Sequence, residues 1–252
     1  MRKLLLLTMM FSPLALADSL SVEPHSLLRL ASKASAVHLQ RLDVADSATL
    51  VLPASLLELK VDQLQLGRDA RISVVPAQDG LRIEVGRAQL AEGSLITATG
   101  MAGTYERAAR PGRDLDLRLQ QLQAPLLSID ARGGKGAPGY AGLDGGNGQA
   151  GGCTWGSASR GANGDNGGDG HDGSAGGRVR LALPADYPAE QIKVRLEGGA
   201  PGAPGAAGKA GQGGASKGCL VYRTEAGANG KPGVVGQPGM AGAEGQLSVQ
   251  RL

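Results

Sequence analysis

Aromatic side chains are nearly absent from this 252-residue chain, which has one phenylalanine, one tryptophan and four tyrosines. The phenylalanine, Phe11, falls in the leading apolar segment, so everything after it must fold without one. That excludes a core in which aromatic rings supply much of the buried area. Histidine is equally scarce, at positions 25, 38 and 171, and none stands near a nucleophile in a recognisable setting. No catalytic constellation can be assembled from such a set, and the expectation is a protein that is not an enzyme and needs no cofactor or metal. After residue 17 no apolar run is long enough to span a bilayer, so no integral membrane segment is expected. Cysteine occurs only at Cys153 and Cys219.

The opening residues, MRKLLLLTMMFSPLALA, carry Arg2 and Lys3, then an apolar run, then Ala15-Leu16-Ala17 in the small-x-small pattern of a signal-peptidase site. Residues 1–17 therefore read as a signal peptide, with the mature chain starting at Asp18 and no cysteine beside it to accept a lipid. The expectation is a soluble exported protein, periplasmic or extracellular. Of the formal net charge of +3, Arg2 and Lys3 supply two, so the mature chain is close to neutral and nucleic acid is not an expected partner.

Two compositions meet near Arg132. Only seven of the 42 glycines precede residue 133. In residues 37–132, runs such as VHLQRLDV, LKVDQLQL and LRIEVGRAQL alternate apolar and polar at period two, which signals strands. Laying the first runs over each other pairs Leu39 with Val61, Leu42 with Leu64, Val44 with Leu66, Ala48 with Ala70, Leu50 with Ile72 and Leu52 with Val74, always 22 residues apart. A repeat of that length with short strands is the size of one coil of a parallel β-solenoid, whose stacked aliphatic interior needs no aromatics. An antiparallel β-sandwich also fits the strand lengths; the repeat spacing favours the solenoid. Thr99 to Asp114 reads as a loop thrown out of it, and residues 18–36 as a capping segment with some helix.

Residues 133–252 are different. Glycine stands at every third position from 133 to 151, from 161 to 176, from 199 to 214 and from 227 to 245. The backbone with three residues per turn that also accepts proline is polyproline II, rising about 3.1 Å per residue, so each run predicts a rod on the order of 50 Å long. Every glycine then lands on one edge, leaving a ridge without Cβ atoms along which another backbone can approach for hydrogen bonding. Residues 152–160 and 215–226 are far too short to return along such a rod, so consecutive rods must be antiparallel, which a collagen triple helix does not allow. A trimer assembled run by run is the alternative, and the oligomeric state stays open. The strands LLSIDA, RVRLAL, IKVRLE and LSVQRL flank the runs and are expected to extend the solenoid, so that two rod hairpins project from it. Cys153 and Cys219 then occupy equivalent places at the far end, where a disulfide is expected in an exported protein.

The fold class expected is all-β plus polyglycine II: a short parallel β-solenoid carrying a bundle of antiparallel polyproline-II-type helices. On the Gly-x-x runs of residues 133–245, the chain resembles the glycine-rich adhesin tips of phage tail fibres and the glycine-rich antifreeze protein of snow fleas. It also looks like bacterial proteins labelled collagen-like. In the phage adhesins the loops at the bundle tip bind the receptor, and the resemblance carries that layout over as an analogy only.

The tip loops carry the chemistry on offer. CTWGSASR holds Trp155 and Arg160; CLVYRTEA holds Tyr222 and Arg223. An aromatic with polar neighbours is suited to stacking on a sugar ring or anchoring a protein partner, while Trp155 and Tyr222 could equally cover the disulfide. Asp169 and Asp172, in GGDGHDGSA, match the start of a calcium-binding nonapeptide, but the pattern lacks tandem copies and has Ser174 where a large apolar residue belongs. Charged x positions such as Lys135, Asp144 and Lys231 oppose an ice-binding face. The reading reached is an exported adhesin or recognition module for a glycan or cell-surface protein, with Trp155, Tyr222, Arg160 and Arg223 as binding residues. The alternative is a structural matrix or envelope protein that acts by rigidity and self-association.

Overall fold

The computed structural model describes residues 19–31, 34–154 and 156–252; the proposed signal peptide lies outside them. The chain is all-β, with two parallel sheets and a single short turn of 3-10 helix, Ala189–Gln191, among the described residues. Long and short strands alternate. The seven-stranded sheet runs β1 (Ser19–Val22), β3 (Ala36–Val44), β5 (Glu58–Leu66), β7 (Leu81–Leu90), β9 (Leu115–Gln123), β11 (Arg178–Leu183) and β13 (Gln246–Arg251). The six-stranded sheet takes the intervening ones: β2 (Leu27–Arg29), β4 (Thr49–Leu52), β6 (Arg71–Val74), β8 (Leu95–Thr97), β10 (Leu127–Asp130) and β12 (Ile192–Arg195). Each successive pair stacks on the one before, a parallel β-solenoid-like arrangement.

Register follows the 22-residue repeat: Leu39 pairs with Val61, Leu42 with Leu64 and Leu50 with Ile72. The repeat also starts one coil earlier than the sequence reading had it. In the segment 18–36, where some helix was expected, β1 and β2 pair Leu20 with Leu42 and Leu28 with Leu50, so the first described element is another coil. Its turn holds His25 at φ 55°, and the same turn recurs with Ser47 at 56°, Asp69 at 54° and Gly93 at 74°. One left-handed residue per coil sends the chain from the long strand to the short one.

The long strands bury Leu59 and Val61, then Leu64 and Leu66, so the inward parity shifts at Asp62-Gln63. A strand that faces inward on both sides of such a shift has turned a corner. Gly86 sits at the equivalent place in the next coil, where a Cβ would come within 2.8 Å of the Asp62 carbonyl oxygen. Three sides thus enclose columns of leucine, valine and isoleucine, with Leu42, Leu50 and Leu117 fully buried. No described helix is long and apolar enough to cross a membrane.

The coils lengthen towards the C-terminus. Along the long-strand sheet Leu42 pairs with Leu64, Val61 with Val85, Leu81 with Leu115, Leu115 with Val179 and Val179 with Leu247. The large insertions all enter at one corner, after a short strand and before the next long one. The first is the loop from Thr99 to Asp114; the second and third are the glycine-rich segments after β10 and β12.

Arg113 closes the first excursion and is the largest fully buried side chain. Its guanidinium donates to the carbonyl oxygens of Asp79 (2.8 Å), Val75 (3.3 Å), Pro53 (3.4 Å), Ala54 (3.3 Å) and Leu56 (2.5 Å). Burial pushes its pKa down, with the Asp79 carboxylate opposing the shift. One side chain therefore satisfies the corner carbonyls of two successive coils. At the other end, Arg251 pairs in register with buried Leu183 and donates to the carbonyls of Tyr187 (2.7 Å) and Pro184 (3.2 Å), while Leu247 and Val249 at the neighbouring inward positions stay exposed.

Arg113→Met keeps the volume and removes the donors, leaving buried carbonyls unpaired. We expect a loss of about 3–5 kcal/mol, read as a lowered urea midpoint at unchanged slope; a loss below about 1 kcal/mol would show that water satisfies these carbonyls instead.

Candidate functional site

The four glycine runs lie side by side and exchange backbone hydrogen bonds at every third residue. Consecutive runs are antiparallel, as the connection lengths require. Gly168 N donates to Tyr140 O (2.8 Å) between the first and second, Gly208 N to Asp165 O (2.9 Å) between the second and third, and Gly233 N to Gly208 O (2.9 Å) between the third and fourth. Two further contacts are parallel: Gly139 N to Ala203 O (2.9 Å) joins the first and third runs, and Gly167 N to Val234 O (2.9 Å) joins the second and fourth. No described bond links the first run to the fourth. The cross-section is a rhombus with the second and third runs on its short diagonal.

Ridge glycines are required because backbone lies against them. A Cβ on Gly139 would stand 2.0 Å from Gly168 O, and one on Gly233 would stand 1.9 Å from Asp165 O. Gly146, off the ridge, has no heavy atom within 4 Å of such a position. Tyr140, taken from the sequence as a packing residue, lays its ring against Gly168.

The polar x positions are not only a solvated face. Asn163, Asn166, Asp169 and Asp172 accept through Oδ1 from the backbone N–H groups of Lys231 (2.8 Å), Val234 (2.9 Å), Gln237 (2.7 Å) and Met240 (2.7 Å). Asp144 and Asn147 do the same for Lys209 (2.6 Å) and Gln212 (2.8 Å). These side chains stand just before a glycine in the first two runs and accept the N–H that follows a glycine in the last two. Asp169 and Asp172, the residues of the calcium-like motif, are thus committed to backbone amides. Prolines 138, 201, 204, 232 and 238 also stand just before a glycine, a position whose N–H takes no part in the described backbone bonds of the bundle.

The bundle ends in two loops joined by the Cys153–Cys219 disulfide, as expected, with Cα atoms 5.7 Å apart. Residues 217–224 form a small hairpin: Gly218 bridges Arg223 antiparallel, Cys219 N donates to Tyr222 O (2.7 Å) and Thr224 N to Lys217 O (2.9 Å). Tyr222 OH donates to Cys153 O (2.5 Å), tying one loop to the other, while its ring stays half exposed. Beside it lies an open concavity of about 390 Å³ lined by Thr154, Ser157, Tyr222, Arg223, Thr224 and Glu225, among others.

Of the sequence-predicted binding residues, Tyr222 and Arg223 share this concavity; Arg160 is exposed but does not line it, and Trp155 lies outside the described residues. The sequence reading missed Leu220 and Val221, which form the apex of the hairpin at 104% and 89% exposure. Their signal was there: two adjacent aliphatics outside any strand-like alternation, in a chain whose other aliphatics mostly follow it.

Gly233→Ala or Gly139→Val should force the runs apart and destabilise the bundle by at least about 2 kcal/mol, while Gly146→Ala should leave the melting curve unchanged. Equal effects in both classes would contradict close backbone packing. Replacing Cys153 and Cys219 by serine opens a loop of 66 residues, worth on the order of 4 kcal/mol in the chain-entropy model. Hydrogen exchange should then rise in residues 133–245 and stay unchanged in β3 to β7; a uniform rise would mean that bundle and coils unfold together. Comparison with protein-family models, with curated proteins and with solved structures finds no match to this chain.

Proposed function

We propose that this protein is an exported, non-enzymatic recognition module of adhesin type, in which the coil stack is a base, the glycine runs a stiff stalk and the clasped tip a binding site for a glycan or cell-surface ligand. The observation that carries this reading is the concavity at the tip. Its hydroxyls (Thr154, Ser157, Thr224), one cation (Arg223), one carboxylate (Glu225) and the half-exposed Tyr222 ring are the equipment for hydrogen-bonding and stacking on a sugar. Three-residue periodicity, ridge glycines and lateral N–H to O=C bonds support a polyglycine II stalk. The disulfide, with the signal-like residues 1–17, supports an oxidising, exported location.

A second reading, a structural matrix component, is favoured by one feature: Tyr140, Leu143, Val234, Val235 and Met240 stand exposed on the flanks of the bundle.

A glycan array probed with the mature protein should give a selective signal that Tyr222→Ala with Arg223→Ala reduces at least about tenfold, while Tyr222→Phe retains most of it by keeping the ring. Binding that is indifferent to all three changes would remove the tip as the site. Concentration-dependent assembly in sedimentation, without a tip-dependent ligand, would favour the matrix reading.

A further inference from the structure

The hairpin apex is separate from the sugar-sized concavity and has a chemistry of its own. Leu220 and Val221 occupy the two central turn positions between Cys219 and Tyr222, fully in solvent. They are held there by the disulfide, by the Gly218 to Arg223 bridge and by the Tyr222 OH bond to Cys153 O. Two aliphatic side chains turned outward at the far end of a stalk are not a folding requirement, because no described residue covers them.

Behind the apex the charge is one-sided. The two tip loops, residues 152–160 and 215–226, contain Arg160, Lys217 and Arg223 against a single acid, Glu225. Among the described residues none of these three cations forms an ion pair. The contrast with the coil stack is sharp. On the outer face of its long strands, charges alternate in register, Glu58 with Arg82, Arg82 with Asp116 and Asp116 with Arg180; beside them run Lys60 with Glu84 and Glu84 with Arg118. There most cations stand across from an anion, Arg82 and Asp116 closing to 3.5 Å, while Arg87 stands between Gln63 and Gln121. At the tip Arg223 stands across from Gly218 and Lys217 across from Thr224, with no acid opposite either.

We infer that the tip docks on an anionic lipid surface, Leu220 and Val221 entering the interface while Lys217, Arg223 and Arg160 meet the headgroup phosphates. This rests on the reading of the tip as the working end. Aliphatic tip and basic collar complement the two layers of such a surface, acyl boundary below and negative charge above. Insertion is shallow, because the turn keeps backbone groups that need water. Tyr222 suits that depth, with its ring half exposed and its hydroxyl bonded to the neighbouring loop.

The test is flotation of the oxidised mature protein with phosphatidylcholine vesicles, with and without phosphatidylglycerol, at low and high salt. Wild type should float with the anionic vesicles only and release as salt rises. Leu220→Ser with Val221→Ser should weaken binding at least about tenfold without shifting the melting temperature, and Lys217→Gln should weaken it and reduce the salt dependence. Absence of flotation with anionic vesicles, or wild-type flotation by the Leu220, Val221 double variant, overturns the inference. If the Tyr222-dependent glycan signal survives that result, the recognition reading stands and the lipid one falls; loss of both removes the two together. Docking of the apex in a protein pocket would appear as binding to protein-bearing membranes but not to pure lipid, and counts against the lipid surface.

Discussion

The backbone hydrogen bond between stacked coils is the constraint from which the rest of the architecture follows. In the sheets it fixes β12 beside β10, with Leu127 against Ile192, and β13 beside β11, with Arg178 against Gln246. The first and third glycine runs leave from the first of these pairs, and the second and fourth return to the second. Each pair of runs therefore starts side by side and points the same way. The offset persists outward: Gly136 bonds Ala200 and Gly148 bonds Gln212, while Gly161 bonds Ala228 and Gly173 bonds Met240. A parallel ladder is thus handed on from strand to glycine run in unchanged register: Ala131 N to Arg195 O, at the end of the sheet, spans the same 64 residues as Gly136 N to Ala200 O. Since a run without internal hydrogen bonds cannot fix its own register, the coil stack is what allows the bundle to be one structure.

Within the bundle the glycine edge solves one problem and creates another. Close approach pairs the glycine N–H, but two more N–H groups per triplet remain. In the second run the N–H after each ridge glycine donates to the first run's backbone, as Asp165 N does to Leu143 O, and in the third and fourth runs asparagine and aspartate side chains of the neighbouring parallel run meet several of them, as Asn163 does for Lys231. The other makes no backbone bond among the described residues, Gly213 N reaching the Asn229 side chain instead (2.8 Å), and proline can stand there without losing a backbone bond. Gly-x-x is therefore more than a glycine repeat: an edge for contact, a donor after it to be met, and a third position that takes proline or supplies an acceptor side chain.

Much of this was legible in sequence because it is periodic. Register along the aliphatic columns follows from the spacing of Leu39, Val61 and their neighbours, and antiparallel order of consecutive runs follows from the short connections. The first coil was not legible, because β1 and β2 are four and three residues long and Pro24-His25 disguises a turn that the later coils make with Asp46-Ser47 and Arg68-Asp69. The parallel contacts of the bundle depend on which strands are neighbours in space, so the acceptor role of Asn166 or Asp172 has no local signature. Arg113 likewise looks like any loop arginine until the two corners it joins are stacked. At the tip, Tyr222 and Arg223 were legible from their place beside Cys219, whereas Leu220 and Val221 were passed over because aliphatic residues are read as core by default.

A bundle of this kind has almost no apolar interior, so its stability must come from other sources. Glycine loses more backbone freedom on ordering than any other residue, and each run orders at least a dozen residues while burying few methyl groups. Lateral hydrogen bonds contribute little net free energy each, so the balance depends on limiting the freedom of the disordered alternative. The coil stack does so at one end and the disulfide at the other, and between them the runs have no free ends. The same disulfide, with the Gly218 to Arg223 bridge and the Tyr222 OH bond to Cys153 O, ties the two tip loops together. Leu220 and Val221 stand exposed at the turn these bonds close, so their exposure follows from the same bonds that join the two loops.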